Sequence, residues 1–378
     1  MTPDFVLDPD GEVTILLRNR NAPFAVWGVS REIVPAGAAH SSRSSEEGGN
    51  VAESTTAAEV LVEVSVPDEP TGQADAGSEP APVRFKVSAR HLILGSPVFR
   101  RMLKDGWKET QLLQEQGTLE IPAYDFDSEA FLAFLHIIHC QPTSLPQRIR
   151  FEQVARLAVI ADYYECRSLV GYYVTPVIDR LTNQPKQYSR NLILWIWVSY
   201  FFQRSEVFHK CTKVAMEEAP TRISSLNLPI PGEIINALNA GRIRAINAIL
   251  GSLHRARRHL TNTPSRCTEE CHALVLGSLI MQMNSSKLLA PRPQPPFIGL
   301  SQQKLKTTVY GFRCPPSKGI RHTKHYKISN SVYTVNSGQR ALWKDATAPS
   351  FVEHYGDIKW DVKGLSLADY MTRINLLL

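Results

Sequence analysis

Three groups of side chains in this chain have types and spacings that invite chemistry. Cys267, Cys271 and His272 form a Cys-x3-Cys-His group that would offer zinc two thiolates and an imidazole, and Cys314 would complete a tetrahedral set. That spacing matches no strong zinc signature. Cys271 and His272 are also neighbours on an expected helix, where adjacent side chains diverge by about 100°. Buried or unpaired cysteines are therefore the favoured reading. His136, His139 and Cys140 lie within two turns of another expected helix, with His136 and Cys140 on one face, but no third and fourth ligand accompany them. Arg321, His322, Lys324, His325 and Lys327 make a basic patch that could touch phosphate, with Tyr326 as its one aromatic residue, but a solvated surface is the favoured reading.

Nothing in the chain argues for catalysis. It has no phosphate loop, dinucleotide fingerprint or nucleophile elbow. No enzyme activity, cofactor or resident metal is expected. The formal charge of +6 is unevenly spread: residues 1–80 hold 14 acidic against 4 basic side chains, so the rest carries +16. Such a field favours acidic partners or nucleic acid, though a solvated surface is the simpler account. The longest apolar stretch, Leu192 to Phe202, is eleven residues, too short to span a bilayer. The acidic start lacks the features of a secretory signal. Six cysteines form no disulfide framework and fit a reducing compartment, so an intracellular protein of cytoplasm or nucleus is expected.

These residues must be held by ordinary elements. Asp8-Pro9-Asp10-Gly11 is a turn leading to a strand at 12–17, and a second turn at 19–23 precedes a second strand at 24–29, which predicts a hairpin. From about Arg31 to Pro82 the composition turns to Ala, Ser, Glu, Gly and Pro. Such a segment cannot bury enough apolar area to offset its chain entropy, and disorder is expected, with Glu59 to Val66 as a possible strand within it. Phe85 and Val87 restart the fold as a strand. A short helix begins at His91, and Ser96-Pro97 opens the next, where proline's missing N–H costs nothing. A strand at 118–121 closes at Pro122, and Asp127 caps a helix with the stripe Ala130, Phe131, Phe134, Leu135 and Ile138. Helices follow over 151–161 and 166–178, the second with Pro176 as a point of interruption. From Arg190 the pattern is helical for roughly 100 residues, including a long amphipathic helix from Ile234 whose tail, Arg255 to His259, is basic. After the proline-rich boundary at 291–296, Thr307 to Phe312 and His325 to Tyr333 read as extended, and Leu365 to Tyr370 as the start of a last helix.

Phe85-Lys86-Val87-Ser88 and the hook Leu94-Gly95-Ser96-Pro97-Val98-Phe99 resemble the strand and first core helices of a BTB/POZ domain. Leu119-Glu120-Ile121, the run Asp125 to Phe131, and the run Leu157 to Cys166 resemble the elements that come next, in the form common in fungal BTB proteins. Phe85, Ser96, Pro97, Phe99, Asp162, Tyr163 and Cys166 are the residues that define the fold in this resemblance. It departs from the pattern of many animal BTB domains at Ser88, where they carry histidine, and in the long segment before Phe85. The resemblance implies an α+β BTB/POZ domain, a small sheet capped by an α-helical cluster, over residues 5–180 with an acidic insertion at about 31–82. An all-α, BACK-like extension over 190–290 and a mixed segment over 297–378 would follow.

BTB domains bind proteins. Many form homodimers through the N-terminal region and first helix, and some bind cullin-3 as substrate adaptors of ubiquitin ligases. If that carries over, Met102, Leu103, Trp107 and Tyr124 are the candidate contacts, against a competing role in core packing. No kelch, zinc-finger or MATH module accompanies the domain. The expected function is a non-catalytic interaction scaffold or adaptor. The alternatives are a transcriptional or chromatin regulator that meets nucleic acid through the basic part, and a metal-stabilised module around Cys267, Cys271 and Cys314.

Overall fold

The computed structural model describes residues 2–28, 81–104, 115, 117–146, 148–181, 183–262, 268–313 and 360–371. A four-stranded sheet runs in the order β1-β3-β2-β4, with β1 Phe5–Val6, β2 Val13–Arg18, β3 Val83–Val87 and β4 Leu119–Tyr124. Strands β3 and β4 bury every second residue. Central β2 buries Val13, Ile15, Leu16 and Leu17. The helices packed on the sheet are α1 Ala89–Gly95, α2 Pro97–Lys104, α3 Ser128–Ile138, α4 Phe151–Tyr163 and α5 Arg167–Arg180. Beyond them come α6 Arg190–Phe201, α7 Ser205–Glu218, α8 Gly232–Asn262, α9 Glu269–Ser285, α10 Gln302–Tyr310 and the short α11 Ala368–Met371. A small mixed sheet capped by helices, followed by an all-α extension and a short final segment, is the architecture expected from the sequence.

The hairpin is a different one from that expected. Strand β2 pairs antiparallel with β3, Val13 opposite Val87 and Leu17 opposite Val83, and parallel with β4. The long segment before Phe85 therefore lies between the two strands of the hairpin. Doubling the length of such a loop adds only about 0.6 kcal/mol of closure entropy. Residues 24–27 form no strand because other groups take their backbone. The Arg190 guanidinium donates to the Phe24 and Ala25 carbonyls at 3.0 and 2.8 Å, and Ala25 has a φ of +46°. The strand considered at Glu59 to Val66 lies outside the described residues.

Three smaller expectations also change. Pro122 sits inside β4 opposite Leu16, which an edge strand tolerates because an outward N–H has no ladder partner. Pro176 lies within α5, which continues past it to Arg180. Thr307 to Tyr310 is helical: Ser301 accepts from the Lys304 N–H at the start of α10, and the Thr308 hydroxyl bonds back to the Lys304 carbonyl.

Two buried clusters share α8. The first joins the sheet and α1–α7 and takes in Ile234 and Leu238 from the start of α8. The second gathers Ile246, Ile249, Leu250 and Leu253 with Leu279 and Met283 of α9 and Leu305 and Val309 of α10. Between them, on the same helical stripe, stands Arg242, only 1 % exposed. Its guanidinium donates to five carbonyls: Ala219, Pro220, Pro296, Phe297 and Leu300, at 2.7 to 3.0 Å. A planar fork with five N–H donors can serve them all, and a lysine ammonium with three cannot. Buried carbonyls left unserved cost on the order of 1–3 kcal/mol each. Arg242→Lys should therefore destabilise the chain by about 3 kcal/mol, read as a lowered urea midpoint against an exposed control such as Arg244→Lys. An unchanged midpoint would refute this role.

Candidate functional site

The hook between α1 and α2 is built from small residues that permit close approach. A Cβ on Gly95 would lie 3.0 Å from the Ile138 side chain and 3.3 Å from Leu169. Ser96 is fully buried. Its hydroxyl donates to the Tyr164 carbonyl at 2.6 Å and accepts from the Phe99 N–H at 3.2 Å, which caps α2. Exposed Pro97 takes the first helical position. Phe99 then stacks on Tyr164 at 4.5 Å. Tyr164 also stacks on Phe134, and Phe131 links it to Phe85 of β3. One tyrosine thus ties the hook, α3 and the sheet together.

Asp162 and Tyr163, the residues that the family resemblance marks on this turn, both stand on the surface, Tyr163 at 63 % exposure. Helix α4 ends at Tyr163, and Glu165 at φ +53° reverses the chain, so the ring turned inward is the next one, Tyr164. Burial pushes its hydroxyl pKa well up. Cys166 is buried, its thiol facing the Ala161 carbonyl, and burial pushes its pKa up to about 12, which makes it an inert core residue.

The surface beside the hook is aromatic with a charged edge. Tyr163 meets Phe126 edge-on at 5.6 Å. Tyr124, 51 % exposed at the end of β4, alternates with the buried residues of that strand and shares a face with exposed Glu120 and Pro122. Arg101 of α2 forms a bidentate pair with Glu165 at 2.7 and 3.0 Å, and the guanidinium holds that carboxyl below its usual range. Met102 is half-buried against the core. Leu103 is 4 % exposed and part of the core, so it presents nothing to a partner. Trp107 lies outside the described residues. Elsewhere Leu94 at the end of α1 is 76 % exposed, and Phe5 and Val6 are exposed on edge strand β1.

Cys267 and Cys314 lie outside the described residues, as do His322 and His325, while Cys271 falls within α9. His272 bonds the Leu260 carbonyl. Among the described residues no group of three His, Cys, Asp or Glu side chains could hold a metal ion. His136 bonds Gln141 at 2.9 Å, and Cys140 is exposed. His139 is buried, with both ring nitrogens committed: Nδ1 to the Leu135 carbonyl at 2.8 Å and Nε2 accepting from the Ser88 N–H at 3.0 Å. This fixes a neutral ring, stacked on His91 at 5.0 Å, that supports the start of α1. Sequence reasoning missed that role. The signal available was a histidine at the end of an apolar helix. No helix among the described residues is long and apolar enough to cross a membrane.

Compared with known protein families, residues 81–178 match the BTB/POZ domain, and such a domain is present there. No curated protein and no solved structure matches the chain. The matched stretch begins at the edge of β3, while β2, which completes the sheet, lies beyond the interruption in the hairpin. A BTB/POZ domain is a non-catalytic interaction module, and protein binding is the general role it gives this chain.

Two measurements probe the site's architecture. Ser96→Ala removes both the cap and the bond to Tyr164, and should cost about 2 kcal/mol in denaturant unfolding. The second is a pH profile. Burial lowers the His139 pKa below its ordinary 6.5, the Leu135 bond opposes this, His91 and His136 add to it, and Asp8 opposes it. The unfolded chain therefore takes up a proton that the folded chain refuses, and stability falls as pH drops below about 6.5. His139→Gln should flatten that fall, and equal slopes would contradict the assignment.

Proposed function

We propose that this chain is an adaptor whose BTB/POZ domain pairs with a second copy and recruits cullin-3, while the helices beyond it hold the protein to be delivered. Exposed Tyr163 beside the hook, next to the Arg101–Glu165 pair, carries this reading, with Tyr124, exposed at the end of β4, as a second candidate contact. Exposed tyrosines bordered by arginine are the side chains that most often dominate binding energy in protein interfaces. The apolar side chains of β1 and Leu94 on α1 support the pairing of two copies, since the family dimerises through its N-terminal region and first helix. On this reading residues 5–180 are the BTB/POZ unit, 190–290 a BACK-like arm and 297–378 a separate final segment. The shared core of the sheet and α6–α7 supports an arm held stiffly against the domain.

Light scattering of the purified 42.3 kDa chain, alone and with cullin-3, tests both parts. The expected masses are those of a dimer and of a dimer carrying cullin-3. Tyr124→Ala with Tyr163→Ala should weaken the complex by about 10-fold or more in a chain that remains folded by circular dichroism. A monomer at micromolar concentration overturns the pairing. No cullin-3 complex at that concentration overturns recruitment and leaves the general binding role.

A further inference from the structure

Residues 360–371 lie along the helical region as an extended strip that ends in α11. Burial alternates along it: Trp360 is buried and Asp361 exposed, Val362 half-buried and Lys363 exposed, and Leu367 is buried after exposed Ser366. Trp360 enters the second core, its ring edge-on to Tyr310 at 5.3 Å. Leu367 enters the first core. Val362, Leu365, Tyr370 and Met371 pack half-buried against the first core beside it.

The groove that receives the strip has features of recognition. The Gln302 side chain donates to the Trp360 carbonyl at 2.8 Å, and Lys306 pairs with Asp361 at 3.1 Å, both from α10. On α7 the Thr212 hydroxyl donates to the Phe208 carbonyl and accepts from the Leu365 N–H at 2.9 Å. Between these points Gly364 crosses α7 so closely that an added Cβ would overlap the His209 carbonyl oxygen. Two buried apolar anchors with half-buried apolar neighbours, a span without regular structure, an ion pair and a glycine forced by close approach are how a bound peptide is held, with most of its binding energy in few residues.

We propose that the groove across α7 and α10 is a peptide-docking site and that residues 360–371 are its detachable internal ligand. The site reads an extended peptide with tryptophan followed by an acidic residue, then glycine at the crossing of α7, then leucine. A partner segment with that pattern gains access by replacing the internal one, whose tethering gives it the advantage of high effective concentration. This inference stands apart from the BTB surface and does not depend on cullin-3.

The test uses the full chain and a fluorescein-labelled peptide of residues 360–371. Gly364→Val ejects the internal strip, so the variant should bind the peptide at least ten times more tightly than the unaltered chain, by fluorescence polarisation. A peptide carrying Gly364→Val should not bind, and adding Thr212→Val to the Gly364→Val chain should weaken binding of the unaltered peptide. Equal binding by the folded variant and the unaltered chain would overturn the proposal. Should Gly364→Val prevent folding, hydrogen exchange on the unaltered chain decides. The Leu365 amide, held by Thr212, exchanging well ahead of α7 and α10 supports a detachable ligand, and exchange in step with those helices overturns it.

Discussion

A single buried guanidinium holds the helical half of this protein together. Arg242 stands where α8 passes from one core to the other, and its five bonds reach the turn after α7 and the loop before α10. A charge in such a place is tolerated only when its donors are served, and here five backbone carbonyls from segments with no ladder of their own accept from it. The arrangement satisfies both sides at once: loop carbonyls, of which Phe297's also accepts from the Leu300 N–H, and a cation that the core cannot otherwise hold. Because α10 starts two residues after Leu300, this bond set also fixes one wall of the groove that receives Trp360 and Asp361.

The sheet half follows a second constraint of the same kind. The Ser96 hydroxyl and the Tyr164 ring join three segments that are far apart in sequence, and the surrounding aromatic rings fill the space between β3, α2 and α3. The exposed ring beside them, Tyr163, is thereby held on a rigid base, which would lower the ordering cost of the contact proposed for it. Buried Tyr164 and exposed Tyr163 are neighbours along the chain, just before the turn at Glu165.

A tyrosine pair in sequence shows why the site was only half legible. Tyr163 and Tyr164 are the same residue type at adjacent positions, and helical periodicity fades at the end of α4, so pattern alone does not tell which faces inward. Leu103 and Met102 pose the same problem. Both suit an apolar stripe, and only packing shows that Leu103 is spent in the core. Arg242 did leave a trace, as an arginine on the stripe that runs from Leu238 to Ile246, but its acceptors come from loops that carry no pattern.

The sequence by itself determined what local chemistry governs: the helical stripes, the Asp127 cap that accepts from the Ala130 N–H, the Ser-Pro start of α2 and the alternation of β3. Those depend on residues within one or two turns of each other. The tertiary structure alone decided which strand β2 would choose across a long interruption, whether residues 24–27 would be a strand or a rest for Arg190, and where 360–371 would lie. Each is a competition between distant partners for the same backbone groups or the same apolar face. Its outcome is set by the free energy of the whole packed fold, which no window of sequence contains.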